Sequence, residues 1–395
     1  MRKKKILFVM TSLGNGGIAT SLKNLLVELD KKKIFEIHLL LFELSKTDID
    51  ELPSSVKVLE AGKFINILAV SQRETFKRNI FLGILRTLLG IFTKIVSDKL
   101  AYWLLFRLSN IKMIYDTAIS CTQSAPKNSL YGGCNEFILE CVKSKKKITF
   151  IHCDFVKYGL NNQYSYDIYK KFDNIACVSN SVKGIFESAM PALKSKMVLV
   201  RNCYNYKKIQ ELSKTDTFVY AKDRLQILTV ARIAKEKGHI RFLNVLYNLK
   251  CMGYDFEWHV VGSGNKSLTT EVKKLVKKFD LDNNVKFYGD QMNPYRFMKN
   301  IDLLAVPSIH EAAPMVFYEA IVLGVPVFTT NTSSANEMIG LPGYGVVCDN
   351  DENGILSALI NILNDKKSLE YYKMNINNKF IPENEEAIEE FIKII

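Results

Sequence analysis

The 395-residue sequence contains no uninterrupted apolar run of the roughly 18 to 20 residues that a membrane-spanning helix needs. It also lacks the pattern of a secretory signal peptide, because the basic start is followed by only a short apolar stretch, Ile6–Met10, and then by glycines. We therefore expect a cytoplasmic protein. The apolar fraction of 48% is enough to fill two cores, and a chain of this length usually forms two domains.

Metal-binding and redox patterns are also scarce. The eight cysteines include no Cys-x-x-Cys pair and no spacing that suits zinc, so we expect reduced, mostly buried thiols. The segment Asp48-Ile49-Asp50 matches an Asp-x-Asp metal pattern, but it lies in a polar stretch and we interpret it as solvated surface. We find no convincing nucleophile–base pair. The sequence predicts neither a metal nor a cofactor.

Acidic residues are scarce in the first half of the chain. Residues 1–205 hold 31 Lys and Arg against 17 Asp and Glu, whereas residues 206–395 hold 23 against 24. Residues 63–112 combine nine cations and two anions with the apolar stretches Ile80–Phe92 and Ala101–Arg107. This segment could lie on an anionic membrane surface, or it could form ordinary domain helices with a solvated basic face. No nucleic-acid recognition motif accompanies the charge, so nucleic acid is not an expected partner.

Apolar strands alternate with helical stretches in two rounds, which predicts parallel sheets covered by helices on both faces. The strands predicted in the first round are Lys5–Thr11, Phe35–Leu41, Thr117–Cys121, Lys147–His152, Asn174–Val178 and Met197–Arg201. Those predicted in the second round are Gln226–Val230, Phe256–Val261, Val285–Tyr288, Leu303–Val306 and Pro326–Thr330, with a helix over Thr270–Asp280. A polar, lysine-rich stretch over 204–224 is the predicted linker. We expect domains over 1–205 and 206–383, followed by a helix over 384–395.

The segment from Pro307 to Val327 is the most informative part of the chain. It follows a buried strand, enters a polar loop with Glu311, and continues into a predicted helix that carries Glu319. Pro314 is suited to the start of that helix. The N–H groups at such a start attract anions. The residues expected to present these groups are Met315, Val316 and Phe317.

Further candidate residues follow other predicted strands. Arg232 and Lys237 come after the first strand of the second round, and Gly262 follows the next strand. In the first round, Gly16-Gly17 and His152 follow strands. Ligands of open parallel sheets bind beyond the carboxyl ends of the strands, so these positions favour ligand binding. Taken singly, the cations could be surface charges, the glycines could serve only packing, and the histidine could be structural.

Together these motifs resemble family 4 of the retaining glycosyltransferases. Glu311 and Glu319 match the family's Glu-x7-Glu pair. Arg232 and Lys237 resemble its diphosphate-binding cations, and Gly262 lies in a turn like its next glycine turn. Gly16-Gly17, followed by Thr20, resembles its donor-side loop, and the similarity extends from Ile6 to Val327. One departure is Ala312-Ala313, where the family usually has Gly after the first Glu, which leaves the shape of the loop around the sugar open.

The resemblance implies a GT-B fold, in which two Rossmann-like α/β domains with parallel sheets face each other across a cleft. The first domain would be on the acceptor side, the second would bind the donor, and the last helix would pack back on the first. Arg232 and Lys237 would neutralise the diphosphate of the donor. Glu319 would accept the ribose hydroxyls, Glu311 would contact the transferred sugar, and His152 would lie near that sugar. Transfer would retain the anomeric configuration without a metal.

The resemblance also suggests substrates and partners. A UDP-sugar is favoured only because UDP is common in the family. The overall likeness, including Ile148–Asp154, is to bacterial enzymes that build capsular or other surface polysaccharides on a polyprenyl diphosphate lipid. We therefore expect a nucleotide-sugar donor, a lipid-linked glycan acceptor, and a peripheral position on the inner face of the plasma membrane, with its anionic surface as a partner.

Other functions remain open at this point. Gly14-x-Gly16-x-x-Ala19 also fits the dinucleotide-binding pattern, and Glu43 closes the second predicted strand, where a ribose-binding acid would lie. An NAD(P)-dependent oxidoreductase is therefore an alternative, although it leaves the motifs of the second half unexplained. A non-catalytic GT-B subunit and a sugar-nucleotide epimerase are further alternatives, and product analysis would separate the epimerase from a transferase.

Overall fold

The computed structural model describes residues 2–14, 16–44, 49–96, 98–109, 112–126, 129–221 and 223–395. The chain divides into two compact units, of which the first comprises Met1–Tyr204 with Asn384–Ile395 and the second Asn205–Glu383. The C-terminal segment belongs to the first unit because Phe391 stacks on Phe8 at 5.9 Å, and because Glu390 accepts the backbone N–H of Arg201 at 2.9 Å.

The first unit is built on a seven-stranded parallel sheet in the order β3-β2-β1-β4-β5-β6-β7. Its strands are β1 Lys4–Met10, β2 Phe35–Leu41, β3 Lys57–Glu60, β4 Met113–Ser120, β5 Val142–Ile151, β6 Asn174–Cys177 and β7 Met197–Leu199. The central residues Ile6–Val9 are fully buried. Side chains alternate between the two faces of a strand, so this burial means that both faces of the sheet are covered.

Helices cover both faces of that sheet. They are α1 Gly17–Lys32, α2 Lys63–Asn66, α3 Gln72–Arg78, α4 Ile80–Ile95, α5 Asp98–Ser109, α6 Cys134–Cys141, α7 Gln163–Tyr169, α8 Asn180–Ala189 and the C-terminal α16 Glu385–Ile392, with a 3-10 segment at Pro191–Lys196. Helices α3, α4 and α5 form a substantial insertion between β3 and β4. None of the helices in the described ranges combines the length and apolar composition needed to cross a bilayer.

The second unit has a six-stranded parallel sheet in the order β10-β9-β8-β11-β12-β13. Its strands are β8 Leu225–Val230, β9 Phe256–Val261, β10 Val285–Gly289, β11 Leu303–Val306, β12 Val327–Thr330 and β13 Gly345–Cys348. Its helices are α9 Tyr206–Ser213, α10 His239–Cys251, α11 Lys266–Lys278, α12 Tyr295–Met298, α13 Met315–Ile321, α14 Glu352–Asn364 and α15 Lys367–Lys379, with a 3-10 turn at Lys235–Lys237 and a π-helical turn at Asn336–Gly340. Strand order reverses between β8 and β11, and ligands of such sheets bind at the carboxyl ends of the strands at this point.

The predicted strands all occur, and the bounds of β2, β9 and β11 are as predicted. Two strands were missed, β3 and β13, which lie at sheet edges. Helix α11 begins four residues earlier than predicted because Asn265 caps it by accepting the Ser267 N–H at 2.8 Å. Within the predicted linker, Asn205 starts the second unit and caps α9. Asp48 of the Asp-x-Asp pattern lies outside the described residues.

Candidate functional site

Two predicted site residues, 74 positions apart in sequence, meet at the reversal point of the second sheet. Lys237 ends the 3-10 turn after β8, and its Nζ lies 2.5 Å from Oε1 of Glu311, which follows β11. The Ser308 hydroxyl donates to the same oxygen at 2.8 Å. The Lys237 and Glu311 side chains are 23% and 12% exposed. The carboxylate is therefore fixed by a cation and a hydroxyl at a rim that remains open to a ligand.

The backbone holds this pair in register. The Ile309 N–H donates to the Glu236 carbonyl at 2.8 Å, which joins the loop after β11 to the turn after β8. Gly238 has a φ of 73°, and a Cβ there would lie 1.9 Å from the Pro307 carbonyl oxygen. Only glycine both adopts this conformation readily and leaves room for the loop.

Arg241 is a positioning residue that the sequence did not reveal. From the first turn of α10 it donates to the carbonyl oxygens of Pro307 at 2.9 Å and Ser308 at 2.6 Å. It also donates to Oδ1 of Asn350 at 2.8 Å and to Oγ1 of Thr330 at 3.3 Å. The guanidinium thereby ties the loops after β11 and β13 to the end of β12. In the sequence it was one more cation near Lys237, with nothing to separate it from surface charge.

Arg232 is placed differently from Lys237. Its side chain is 71% exposed and forms a 3.4 Å ion pair with Glu236. Exposed pairs of this kind contribute little stability, so the arginine has little structural reason to hold one position. It remains at the carboxyl end of β8 as a cation that a ligand can recruit.

Glu319 lies within α13, as predicted, in a less polar environment. The Tyr295 hydroxyl donates to its Oε1 at a long 3.5 Å. Burial raises the pKa of the Glu319 carboxyl from 4.5 to about 7. Close to neutral pH the group therefore exists in both protonation states.

This pKa predicts a pH dependence of stability. The folded state holds the Glu319 proton more tightly than the unfolded state, so this group's contribution to stability is fully present below pH 4.5. It is lost as the pH rises from there to about 7. Relative to a Glu319→Gln variant, the wild type should lose free energy of unfolding across this range and change little above it. Urea denaturation of both proteins between pH 4.5 and about 7 measures this difference in the free energy of unfolding. Parallel curves of unfolding free energy against pH would contradict the prediction.

The start of α13 differs from the prediction in one respect. Pro314 has extended geometry, with a ψ of 122°, and precedes the helix instead of occupying its first turn. Its carbonyl accepts the Phe317 N–H at 3.3 Å, so the prediction that this N–H points out of the helix was wrong. Met315 and Val316 are the first two helical residues, and their role toward an anion stays a prediction.

Gly262 has a packing role in the structure. Its φ is 130°, and a Cβ would lie 2.1 Å from the Ala231 carbonyl oxygen, because the chain segments after β8 and β9 lie against each other there. Asp290, after β10, accepts the Ser263 N–H at 2.8 Å. Packing alone explains this glycine, and donor binding by it remains a prediction.

Gly16, unlike Gly262, is not required by close packing. It has an extended φ of 175° just before α1, and within the described part of the chain no atom lies within 4 Å of a Cβ built on it. The fold of the first unit therefore does not require glycine at this position. Gly16 instead leaves open backbone after β1, where a ligand can approach closely, and the neighbouring Gly17 is exposed.

We expect a Gly16→Ala variant to separate binding from folding. The free energy of unfolding should change by less than about 0.5 kcal/mol, because the backbone is extended and the space beside it is open. If Gly16 lines a donor site, as the sequence resemblance implies, the KM for the donor should rise, because a methyl group would occupy that space. Urea denaturation and steady-state kinetics measure the two effects. A destabilised variant with an unchanged KM would assign Gly16 to packing.

His152 follows β5 with its ring stacked on Phe150 at 5.6 Å. Its backbone N–H donates to Gln123 at 3.2 Å. Burial lowers the pKa of His152 to about 4, so the imidazole is neutral at pH 7. It is suited to hydrogen bonding with a sugar hydroxyl and not to neutralising a phosphate.

Two further observations concern the predicted ribose-binding acid and metal binding. Glu43, the acid expected to bind ribose in an oxidoreductase, accepts from Nη2 of Arg78 at 2.6 Å. Among the described residues, no group of three His, Cys, Asp or Glu side chains is placed to hold a metal ion. Asn15 of the glycine pattern lies outside those residues.

The second unit, which carries the Lys237–Glu311 pair, is similar to known proteins. Residues 214–379 match the family model of glycosyl transferases group 1. An uncharacterized glycosyltransferase of Methanocaldococcus jannaschii is 28% identical over 46% of this chain and 45% of its own length. The N-acetylgalactosamine-N,N'-diacetylbacillosaminyl-diphospho-undecaprenol 4-alpha-N-acetylgalactosaminyltransferase of Campylobacter jejuni is 30% identical over 38% of this chain and 40% of its own length. The chain thus spans less than half the length of these curated relatives.

The fold is shared over the whole chain. The Anabaena protein HepE, solved in complex with UDP-glucose, superposes with a TM-score of 0.68 at 16% identity, covering 99% of this chain and 100% of that one. The GT-B fold class predicted from the sequence is confirmed by this likeness and by the two parallel-sheet units. Residues 214–379, which make up most of the second unit, are the part of the chain that is similar to the glycosyl transferases group 1 family.

Proposed function

We propose that this protein is a retaining glycosyltransferase that moves a sugar from a nucleoside-diphosphate sugar to an acceptor hydroxyl. The observation that carries the proposal is the Lys237–Glu311 pair at the carboxyl ends of β8 and β11, within the stretch that matches the family. A fixed carboxylate can accept hydrogen bonds from sugar hydroxyls, and the cation beside it can hold a phosphate. Arg232 supplies a second cation on the same side of the sheet.

The proposed reaction is a front-face displacement. The bond from the sugar C1 to the diphosphate oxygen breaks, and a bond from C1 to the acceptor oxygen forms on the same face. The proton of the acceptor hydroxyl passes to the departing diphosphate oxygen. Lys237 and Arg232 stabilise the charge that develops on the diphosphate. Glu311 orients the sugar and is not attacked, and the proposal includes no metal.

The remaining site residues have binding roles in this proposal. Glu319, when ionised, accepts paired hydrogen bonds from the ribose hydroxyls. Neutral His152 forms a hydrogen bond with the transferred sugar. Gly16 and Gly17 give the donor access to the backbone of the first unit, and Met315 and Val316 face the diphosphate.

We further propose a UDP-sugar as donor and a glycan on a polyprenyl diphosphate as acceptor, in the assembly of a surface polysaccharide. Support for UDP comes from the shared fold with HepE, whose structure holds UDP-glucose. Support for the acceptor comes from the Campylobacter relative, whose name specifies a diphospho-undecaprenol substrate. Such an acceptor is held in a membrane, so the enzyme would work peripherally at the anionic inner surface.

A transfer assay tests this function. The purified protein is incubated with an α-linked UDP-sugar and a polyprenyl-diphosphate-linked glycan, with and without EDTA, and the product is examined by NMR. We expect an α-linked product and a rate that EDTA does not lower. An isomerised donor without transfer would indicate an epimerase. Nucleotide binding with no turnover on any nucleotide sugar would indicate a non-catalytic subunit.

A further inference from the structure

Helix α4 exposes six large apolar side chains along one face. With about 100° of rotation per residue, all six fall within an arc of about 100°. They are Ile80, Phe81, Ile84, Leu88, Ile91 and Ile95, each between 47% and 78% exposed. We call these six residues the outer face of α4. The adjoining arc of the helix packs on the core of the first unit through Leu82, Leu85, Leu89 and Phe92. The helix is therefore apolar over an arc of about 200°, of which only part is buried within the unit.

The neighbouring helices also expose apolar side chains. Helix α5 exposes Trp103, Leu104 and Leu108, and α3 exposes Phe76, each between 39% and 46%. Both helices pack against α4. Single exposed apolar residues are ordinary on a protein surface, but six large ones on one face of a helix form an apolar patch, which marks an interaction site.

Exposed positive charge lies on the same three helices. Arg73, Lys77, Lys94 and Arg107 are exposed on the three helices, and the Arg107 guanidinium lies over the Trp103 ring at 5.3 Å. Residues 63–112 carry nine cations and only two anions. One of the anions, Glu74, pairs with Lys77 at 3.7 Å and with Arg78 at 3.6 Å. The exposed surface of these helices is therefore cationic as well as apolar.

The combination of an apolar face with exposed positive charge favours one binding partner over another. A second copy of the chain would bring an equally cationic surface, and like charges would oppose the contact. An anionic lipid surface offers both complements, since its headgroups attract the cations and its acyl region receives the apolar side chains. We propose that the outer face of α4 docks on an anionic membrane, with α4 lying in the plane of the interface. The inference rests on the proposed function in that a lipid-linked acceptor gives the docking its purpose.

Vesicle flotation tests the docking. Vesicles of phosphatidylcholine with about 30 mol% phosphatidylglycerol are compared with pure phosphatidylcholine vesicles, at low salt and at about 0.5 M salt. The wild type is expected to float with the anionic vesicles and to dissociate in high salt. A triple variant, Phe81→Ser, Leu88→Ser and Ile95→Ser, should bind them at least about tenfold more weakly.

Matched variants separate the apolar and electrostatic contributions. A control triple variant, Ile114→Ser, Val156→Ser and Leu341→Ser, removes exposed apolar side chains elsewhere and should bind vesicles like the wild type. A charge-reversal variant, Arg73→Glu with Lys94→Glu, should lose the preference for anionic vesicles with the outer face intact.

Three results would overturn the docking. They are no flotation of the wild type with anionic vesicles, wild-type flotation of the outer-face variant, and a wild-type dimer in sedimentation that this variant converts to monomer. Stabilisation by UDP, measured on the same proteins, keeps the two proposals apart. Flotation without UDP stabilisation would support the docking and contradict the proposed function. UDP stabilisation without flotation would support the proposed function and contradict the docking.

Discussion

Replacing Lys237 with methionine is expected to lower turnover about 10²- to 10³-fold, the usual cost of removing one group that stabilises developing charge. The ammonium group contacts Glu311, and in the proposed reaction it faces a diphosphate whose charge grows as the sugar departs. Turnover should therefore fall more than donor affinity. Steady-state kinetics together with nucleotide titration measure the two effects.

Lys235 provides the matched control for this experiment. It lies in the same 3-10 turn, two residues from Lys237, and is exposed. Lys235→Met removes the same charge from the same segment and should leave turnover within about twofold of the wild type, as is usual for a surface substitution. Equal losses of turnover in the two variants would show that Lys237 contributes only as a general surface charge. A Lys237→Met enzyme with wild-type turnover would remove it from the mechanism.

Gly238→Ala is expected to be the most destabilising single change considered for the second unit, at about 3 kcal/mol or more. The added methyl group would meet the Pro307 carbonyl at 1.9 Å, so either the loop that carries Glu311 or the turn that carries Lys237 must move. Activity should be lost along with stability, because the two site residues depend on that contact.

Gly253 isolates the steric part of this effect. Its φ is 85°, close to the 73° of Gly238, but within the described part of the chain no atom lies within 4 Å of a Cβ built on it. Gly253→Ala should therefore cost only the conformational penalty, about 1 kcal/mol, with turnover unchanged. Urea denaturation of the two variants gives the comparison. Equal costs would show that the loop yields easily and that the close approach at Gly238 does not organise the site.

Much of the fold follows from local sequence. Short apolar runs between polar loops predicted β2, β9 and β11 to the residue, because strands buried on both faces tolerate little polarity. The positions of the candidate residues at strand ends follow from the same pattern. This pattern did not predict β3 and β13. Each is a four-residue strand at a sheet edge, and β3 has no buried residue.

The geometry of the site could not be read from the sequence in the same way. Lys237 and Glu311 were both predicted to bind the donor, but their direct contact depends on loop shapes set by Gly238 and Arg241. Arg241 acts on carbonyl oxygens, which every residue has, so no partner side chain in the sequence points to it. The turn at Pro314 depends on a backbone angle that proline leaves free, and so the bond from Phe317 was not foreseen.

The most direct test of the proposed donor site is thermal stabilisation by UDP, GDP, ADP, NAD and NADP in turn. Any ligand that binds only the folded state raises the melting temperature. The wild type is compared with Arg232→Ala and with Lys235→Ala, which changes an exposed cation in the same segment. We predict stabilisation by a nucleoside diphosphate, with UDP the most effective, that Arg232→Ala loses and Lys235→Ala keeps. Stabilisation by NAD or NADP that is indifferent to Arg232 would contradict it and assign the ligand to the glycine loop of the first unit.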